Sequence, residues 1–260
     1  MKTSIIKNKL LKKIVTTIIV TAIWLTIWQC VYALVNNPLF VSAPLDVFER
    51  IFELAKTKMF WIDVSLSIGR IILGFVFGVV IGLFMAFVSS INITEKLFSP
   101  IKLIVRATPI ASFIMLAWIW LERDMIPVFI SALMVIPVVW GNVSTGIKNI
   151  GKEYKELAIV YKIGKIKQLK FIYLPGILPY FTTALCTCTG LVWKAGVAAE
   201  VLCQPKHSIG TNLFYAKTVL ETLDVFAWTV VVIIISLTLE LLIKFVLKKL
   251  EKKFLFAGLT

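Results

Sequence analysis

The chain has 260 residues, is 59% hydrophobic, carries a formal net charge of +14 and has a mean hydropathy of +0.93. A soluble domain of this size has no use for so much apolar surface, so the composition places the chain among integral membrane proteins. In a soluble protein the basic excess would point to nucleic acid; here the charges sort by side of the membrane, and no nucleic-acid partner is needed.

Residues 1–13 carry five lysines and no acid, and residues 14–35 follow without a charge. At about 20 residues per crossing the second stretch spans, with the N-terminus inside. A secretory signal has a shorter apolar core and a small-residue cleavage site, and fits poorly. Residues 36–63 form a polar interval. Within it Ser42-Ala43-Pro44 reads as a helix start. Val47, Phe48, Ile51, Phe52 and Ala55 then make one apolar stripe at helical spacing. The expectation is a short helix on the outer surface, packed against the bundle.

Residues 71–93 are charge-free and contain Gly74, Gly78 and Gly82, a repeat of small residues that lets a neighbouring helix approach closely. Residues 107–121 are charge-free but short, and reach spanning length if the helix starts near Leu103 and Arg106 snorkels. Residues 125–147 span, with Pro127 and Pro137 as expected kinks. Residues 176–201 span with Lys194 and Glu200 inside them, and residues 225–243 span before a basic tail at 244–253. The reading is all-α: a polytopic membrane protein of six transmembrane helices with both termini cytoplasmic. It divides into an N-terminal helix with its external segment (1–64), a core (65–253) holding a cytoplasmic loop (148–175), and a tail (254–260).

The charge distribution agrees with that topology. Segments placed inside hold 20 basic and 4 acidic residues, and those placed outside hold 6 basic and 8 acidic. Arg70, Lys194, Glu200 and Glu240 fall in or near the membrane and cancel. This is the asymmetry of the positive-inside rule. The single histidine, His207, and four scattered cysteines, Cys30, Cys186, Cys188 and Cys203, make neither a disulfide framework nor a catalytic cluster. Cys186 and Cys188 stand two apart, on different faces of a helix.

Two motifs compete at the cytoplasmic loop. Gly146, four residues, then Gly151-Lys152 has phosphate-loop spacing, but Glu153 stands where Ser or Thr is required and a membrane helix precedes it instead of a strand. Nucleotide binding by this chain is therefore rejected. The second motif runs Glu156-Leu157-Ala158, three residues, Lys162, nine residues, Ile172, one residue, Leu174-Pro175. It resembles the EAA loop of ABC-transporter permeases, whose pattern is Glu-Ala-Ala, three residues, Gly, nine residues, Ile-x-Leu-Pro. Leu157 stands for the first Ala and Lys162 for the Gly. Gly164, two residues on, is the alternative source of the turn.

The resemblance extends over roughly residues 65–253. Ser65-Leu66-x-x-x-Arg70-x-x-x-Gly74-Phe75, Arg106-x-x-Pro109, Ala117-Trp118, Trp193 through Ala199-Glu200, and Phe226-Ala227-Trp228 are similar to the nitrate/sulfonate/taurine (SsuC-like) subfamily. It implies a type I ABC import permease in the cell membrane. Such a permease is a dimer around a central path, fed by an extracytoplasmic binding protein. It docks two ATPase subunits through the EAA helices, so ATP and magnesium belong to those partners and no cofactor to this chain. Glu156 with its neighbouring lysines would contact a cleft on the ATPase, and Pro175 and Pro179 would set an elbow into the next span.

The membrane charges carry the remaining expectations. A charge at mid-bilayer costs about 2.5–3.5 kcal/mol on insertion scales, so each faces a protein interior or a wet path. Arg70 and Glu200 enter at similar depth, and two readings stay open: an ion pair near the outer end, or an anion-attracting site. Lys194, with no acid on its helix to pair with, reads as an attractor for a small anionic or zwitterionic solute, with Trp193 lining the same path. Glu240 pairs with Lys244 one turn on. The runner-up readings are an importer permease for a heterocyclic vitamin precursor, and a stand-alone secondary transporter. Against the second, no internal repeat is visible.

Overall fold

The computed structural model of the chain describes residues 2–89 and 92–257. Among the described residues every regular element is helical: α1 (Lys2–Val35), α2 (Pro44–Ala55), α3 (Lys58–Val88), α4 (Asn92–Ala107), α5 (Ile110–Trp120), α6 (Ile126–Lys148), α7 (Lys152–Val160), α8 (Lys165–Gln168), α9 (Leu174–Cys203), α10 (Ile209–Thr218) and α11 (Thr222–Ala257), with a π-helical turn at Leu169–Tyr173 leading into α9. Among the described residues five helices are long and apolar enough to cross a membrane, and six spans result if the bent pair α4–α5 counts as one.

That pair corrects one expectation. The helix foreseen from Leu103 through Leu121 is broken, and its halves Lys96–Val105 and Ile110–Trp120 meet at 100°. Pro109 is the cause: it has no N–H to continue α4 and it drives Thr108 out of the helical region. It then serves as the N-cap of α5, with φ −58° and ψ 137°. The side chain of Arg106 is not among those described.

α3 starts earlier and ends sooner than the charge-free stretch 71–93, because helix formation runs through Asp63 and Arg70. Ser90 and Ile91, which fall in that foreseen span, lie outside the described residues. Pro127, expected to kink α6, sits in its first turn, where the missing N–H has no intrahelical partner to lose.

The chain forms two compact units. One comprises the residues up to Phe60 together with Asn212–Val231. There the Trp28 indole stacks on Phe226 with centroids 5.7 Å apart and donates its N–H to the Ser42 carbonyl at 3.1 Å. Arg50 donates to both carboxylate oxygens of Asp224, at 2.6 and 3.1 Å, and to Glu53 at 2.9 Å. The Asp224 bond first, then the Glu53 bond, hold the guanidinium above its already high pKa. Phe60 stacks on Trp228 in the same unit.

The other unit comprises Trp61–Thr211 and the residues from Val232 on. Its centre is α6, which packs along α9 and is the most buried of the spans. The glycine stripe of α3 meets α6 backbone to side chain. A Cβ at Gly78 would stand 2.6 Å from Val135 Cβ, and one at Gly82 would stand 2.9 Å from Val139 Cβ. Those positions admit no side chain, so the stripe specifies both the partner and the close approach. Gly196 of α9 completes the three-helix contact, where a Cβ would stand 2.5 Å from Ile71 and 3.0 Å from the Ser131 hydroxyl. A second layer joins Ile114 and Ala117 of α5 to Ile126, Ile130 and Met134 of α6 and to Ala195, Ala199 and Cys203 of α9.

Candidate functional site

Two constellations carry the candidate residues, both within the larger unit. The first is the elbow between α6 and α9. Gly151 caps α7, and α7 ends at a Schellman turn: Lys162 N–H donates to the Ile159 carbonyl at 3.0 Å, and Ile163 N–H to the Ala158 carbonyl at 2.9 Å. The turn requires a left-handed residue, and that residue is Lys162, with φ 50°. Gly164 does not supply it. Its φ is −62° and it serves as the N-cap of α8, so the alternative source foreseen for the turn is corrected. The left-handed turn stays at the motif position even though a lysine occupies it.

The two faces of α7 differ. Ala158 is 2% exposed and turned into the chain, while Glu156 is exposed together with Tyr154, Leu157, Ile159 and Val160. After the turn, the Gln168 amide donates to the Ile163 carbonyl at 2.7 Å and ties α8 back to it. Ile172 is half-buried, and Leu174 and Pro175 are exposed. Pro175 lies in the first turn of α9, and Leu174 N–H reaches back five residues to the Leu169 carbonyl. The widened turn makes room for the proline ring against the preceding carbonyl. Pro179 is accommodated inside α9; the foreseen break there does not occur, and the elbow resides in the turn at 161–164 and the π segment. Gly146, the first glycine of the phosphate-loop look-alike, is inside α6 against the Tyr180 ring, and a Cβ there would meet the ring at 2.9 Å. Beside it, the Asn149 side-chain amide donates to the Tyr180 hydroxyl at 2.9 Å, pinning the end of α6 to the start of α9.

The second constellation surrounds Glu200, which is fully buried. One carboxylate oxygen accepts from the Ser67 hydroxyl at 2.8 Å and from the Gly210 N–H at 3.2 Å. Ser67 in turn accepts the Ile209 N–H at 2.9 Å, so the two helix ends are stitched through one hydroxyl. Gly210 is required there, because a Cβ would stand 2.5 Å from the Val201 nitrogen. Arg70 lies 3.7 Å from the other Glu200 oxygen. Its shorter bonds go elsewhere: to Asp124 at 2.6 Å and to the carbonyls of Lys206 and His207 at 2.8 and 3.0 Å. His207 Nδ1 stands 3.3 Å from Asp63. Arg70 thus spends its donors on the chain itself, latching the loop after α9 onto α3. The sequence offers Arg70 either Glu200 as an ion-pair partner or a role in an anion-attracting site. Asp63, Ser67, Asp124 and Gly210 went unnamed as partners, although Ser67 lies one helical turn before Arg70.

Trp193 and Lys194 part company. Trp193 is 1% exposed and donates its indole N–H to the Val232 carbonyl at 3.1 Å. It packs the core and presents no surface to a path, which corrects the expectation that it lines one beside Lys194. Lys194 is exposed, in register with exposed Thr183, Thr187, Leu191 and Ala198. At 100° per residue these five fall within an arc of about 80°. The face has two hydroxyls, one ammonium and no bulky aromatic. Glu240 accepts from Lys244 as expected.

These features define a helical membrane protein of the ABC-transporter permease fold, with an elbow inserted between two spans of its core that exposes Glu156 beside apolar side chains in a lysine-rich segment. The chain belongs to the family of binding-protein-dependent transport system inner membrane components, whose model matches residues 78–255. Among curated relatives it is 28% identical over 154 residues to the nitrate import permease protein NrtB of Leptolyngbya laminosa, covering 55% of this chain and 52% of that one. It is 27% identical over 161 residues to the bicarbonate transport system permease protein CmpB of Synechococcus elongatus, covering 58% and 55%. The chain thus spans about half the length of these relatives. Over 214 residues it is 23% identical to the putative aliphatic sulfonates transport permease protein SsuC of Bacillus subtilis, covering 82% and 77%. Among solved structures, an amino acid ABC transporter with histidines superposes with a TM-score of 0.61 at 17% identity, covering 77% of this chain and 96% of that one, a likeness of fold.

Proposed function

We propose that this chain is the membrane-spanning permease subunit of an ATP-driven type I importer for a small anion such as nitrate, bicarbonate or a sulfonate. The observation that carries the reading is the elbow. A short helix with an exposed carboxylate and an exposed apolar face is closed by a hydrogen-bonded left-handed turn and runs through a π turn into the span that bears Lys194. A push on α7 from a soluble motor is therefore delivered to the helix that faces the solute.

In this reading Glu156, Leu157 and Tyr154 seat in a cleft of an ATPase subunit, and Ala158, Lys162, Ile172, Leu174 and Pro175 keep the lever stiff. Two such ATPase subunits bind ATP and magnesium, and this chain holds neither. Two copies of the permease face one another across the α9 stripe, whose Lys194 attracts the anion. Arg70 and Glu200 latch the loop at the far end of α9. An extracytoplasmic binding protein delivers the solute, and both termini lie on the cytoplasmic side of the cell membrane, where the lysine-rich segments gather. The anion class is supported by Lys194 and by the nitrate, bicarbonate and sulfonate permeases among the relatives.

The test is co-purification of the full chain with its ATPase, followed by ATP turnover in proteoliposomes with and without the binding protein. Stimulation by the loaded binding protein supports the reading. A chain that purifies without an ATPase and moves solute without ATP refutes it.

A further inference from the structure

We propose that α2 and the turn before it form a membrane-interface anchor, seated at the level where α1 leaves the bilayer and α11 enters it. The level follows from the spans and the tethers. The span in α1 ends at Val35 and the span in α11 begins at Thr222. Between them in space, all within one compact unit, the Thr222 hydroxyl donates to the Leu39 carbonyl at 2.6 Å and Trp28 holds the Ser42 carbonyl. Arg50, midway along α2, grips Asp224 in the first turn of α11 with two bonds. α2 is thereby fixed beside both span ends and cannot reach deep into water.

Its faces say what it touches. Val47 is fully buried, and Ile51 and Leu54 flank it, packed on the chain. Leu45, Phe48 and Phe52 recur at i, i+3 and i+7 on the neighbouring face and are open, Leu45 at 78% and Phe52 at 68% exposure. Asp46, Glu49, Glu53 and Lys56 occupy the remaining arc. A helix with one packed face, one open aromatic and aliphatic stripe and one charged face is built to lie at the head-group boundary. The stripe also continues a lipid-facing surface. Residues 15–35 of α1 bury none of their spanning window within the chain, and Leu39 and Phe40 stay open on the way to α2. The Arg50–Asp224 pairing satisfies the arginine beside the boundary, leaving the remaining charges on the watery side.

The experiment uses the full chain in phospholipid nanodiscs, with Cys30, Cys186, Cys188 and Cys203 replaced and one nitroxide-labelled cysteine introduced by Leu45→Cys, Phe48→Cys, Phe52→Cys, Glu49→Cys or Glu53→Cys. Labels at 45, 48 and 52 are expected to be relaxed by oxygen and shielded from a water-soluble nickel chelate, at about 5–10 Å into the boundary region. Labels at 49 and 53 are expected to be reached by the chelate. Chelate access at all five positions overturns the proposal by placing the stripe in water. Shielding of 45, 48 and 52 from both reagents overturns it in favour of a protein contact. A second variant, Phe52→Trp with the native cysteines kept, is expected to add tryptophan emission that lipids brominated near the glycerol quench; unquenched added emission overturns the proposal independently of the cysteine replacements.

Discussion

Lys162→Gly and Gly164→Ala, made separately, test the elbow where it is most specific. Lys162 sits at φ 50° with both bonds of the Schellman turn formed. A side chain in that conformation costs about 1–2 kcal/mol. Glycine removes this and adds back about 0.4–1 kcal/mol of unfolded-chain entropy. The glycine variant is therefore favoured by about 0.5–1 kcal/mol, a fall of about two- to fivefold in opening of the turn. At Gly164, φ is −62° and a Cβ would meet nothing within 4 Å, so alanine fits without strain; its unfolded-chain gain of about 0.4–1 kcal/mol is offset by its poorer N-cap for α8, for little net change. Lys162→Val moves the other way, because β-branched residues tolerate positive φ poorly. Hydrogen–deuterium exchange of the amides at 158–165 reads all three variants. Slower exchange in Lys162→Gly, little change in Gly164→Ala and faster exchange in Lys162→Val are expected. Faster exchange in Gly164→Ala would place the turn at the glycine and refute the reasoning.

Glu200→Ala strands the Ser67 hydroxyl and the Gly210 N–H, at about 1–3 kcal/mol for each orphaned group. Thermal unfolding in detergent should show a loss of about 2–6 kcal/mol, with Glu200→Gln losing less, and an unchanged midpoint contradicts the latch. Gly78→Val drives a side chain into Val135 and should cost about 1–3 kcal/mol or more by the same measurement. Lys194→Met should weaken uptake of the identified anion without changing the midpoint, since the ammonium is exposed within the chain; wild-type uptake removes it from the path.

Much of this molecule was legible because its signals are local. Charge-free runs located the spans, and the glycines of α3 announced a close helix contact from their spacing alone. At the position where the loop pattern calls for glycine, the chain makes a left-handed turn with a lysine, Lys162 at φ 50°, a conformation that the residue type alone does not announce. What stayed hidden depends on contacts distant in sequence. Arg70 and Glu200 were visible as costly charges, but the partners that satisfy them come from α3, residue 124 and the loop after α9, and no periodicity links these. Trp193 and Lys194 are adjacent in sequence, so only the helix packing separates a core indole from an exposed ammonium. Pro109 and Pro179 look alike as residues. Pro109 ends one helix and caps the next, while Pro179 sits inside a continuous one, and the residue type alone does not tell the two apart.

The most direct measurement is the number of solute molecules accumulated per ATP hydrolysed, in proteoliposomes holding the permease, its ATPase and the loaded binding protein, for wild type and Glu156→Lys. Coupling through the exposed face of α7 predicts that the variant inserts and folds normally while solute moved per ATP falls by about tenfold, a loss of about 1.4 kcal/mol in coupling. A variant that transports at the wild-type ratio would contradict the assignment of α7 as the lever.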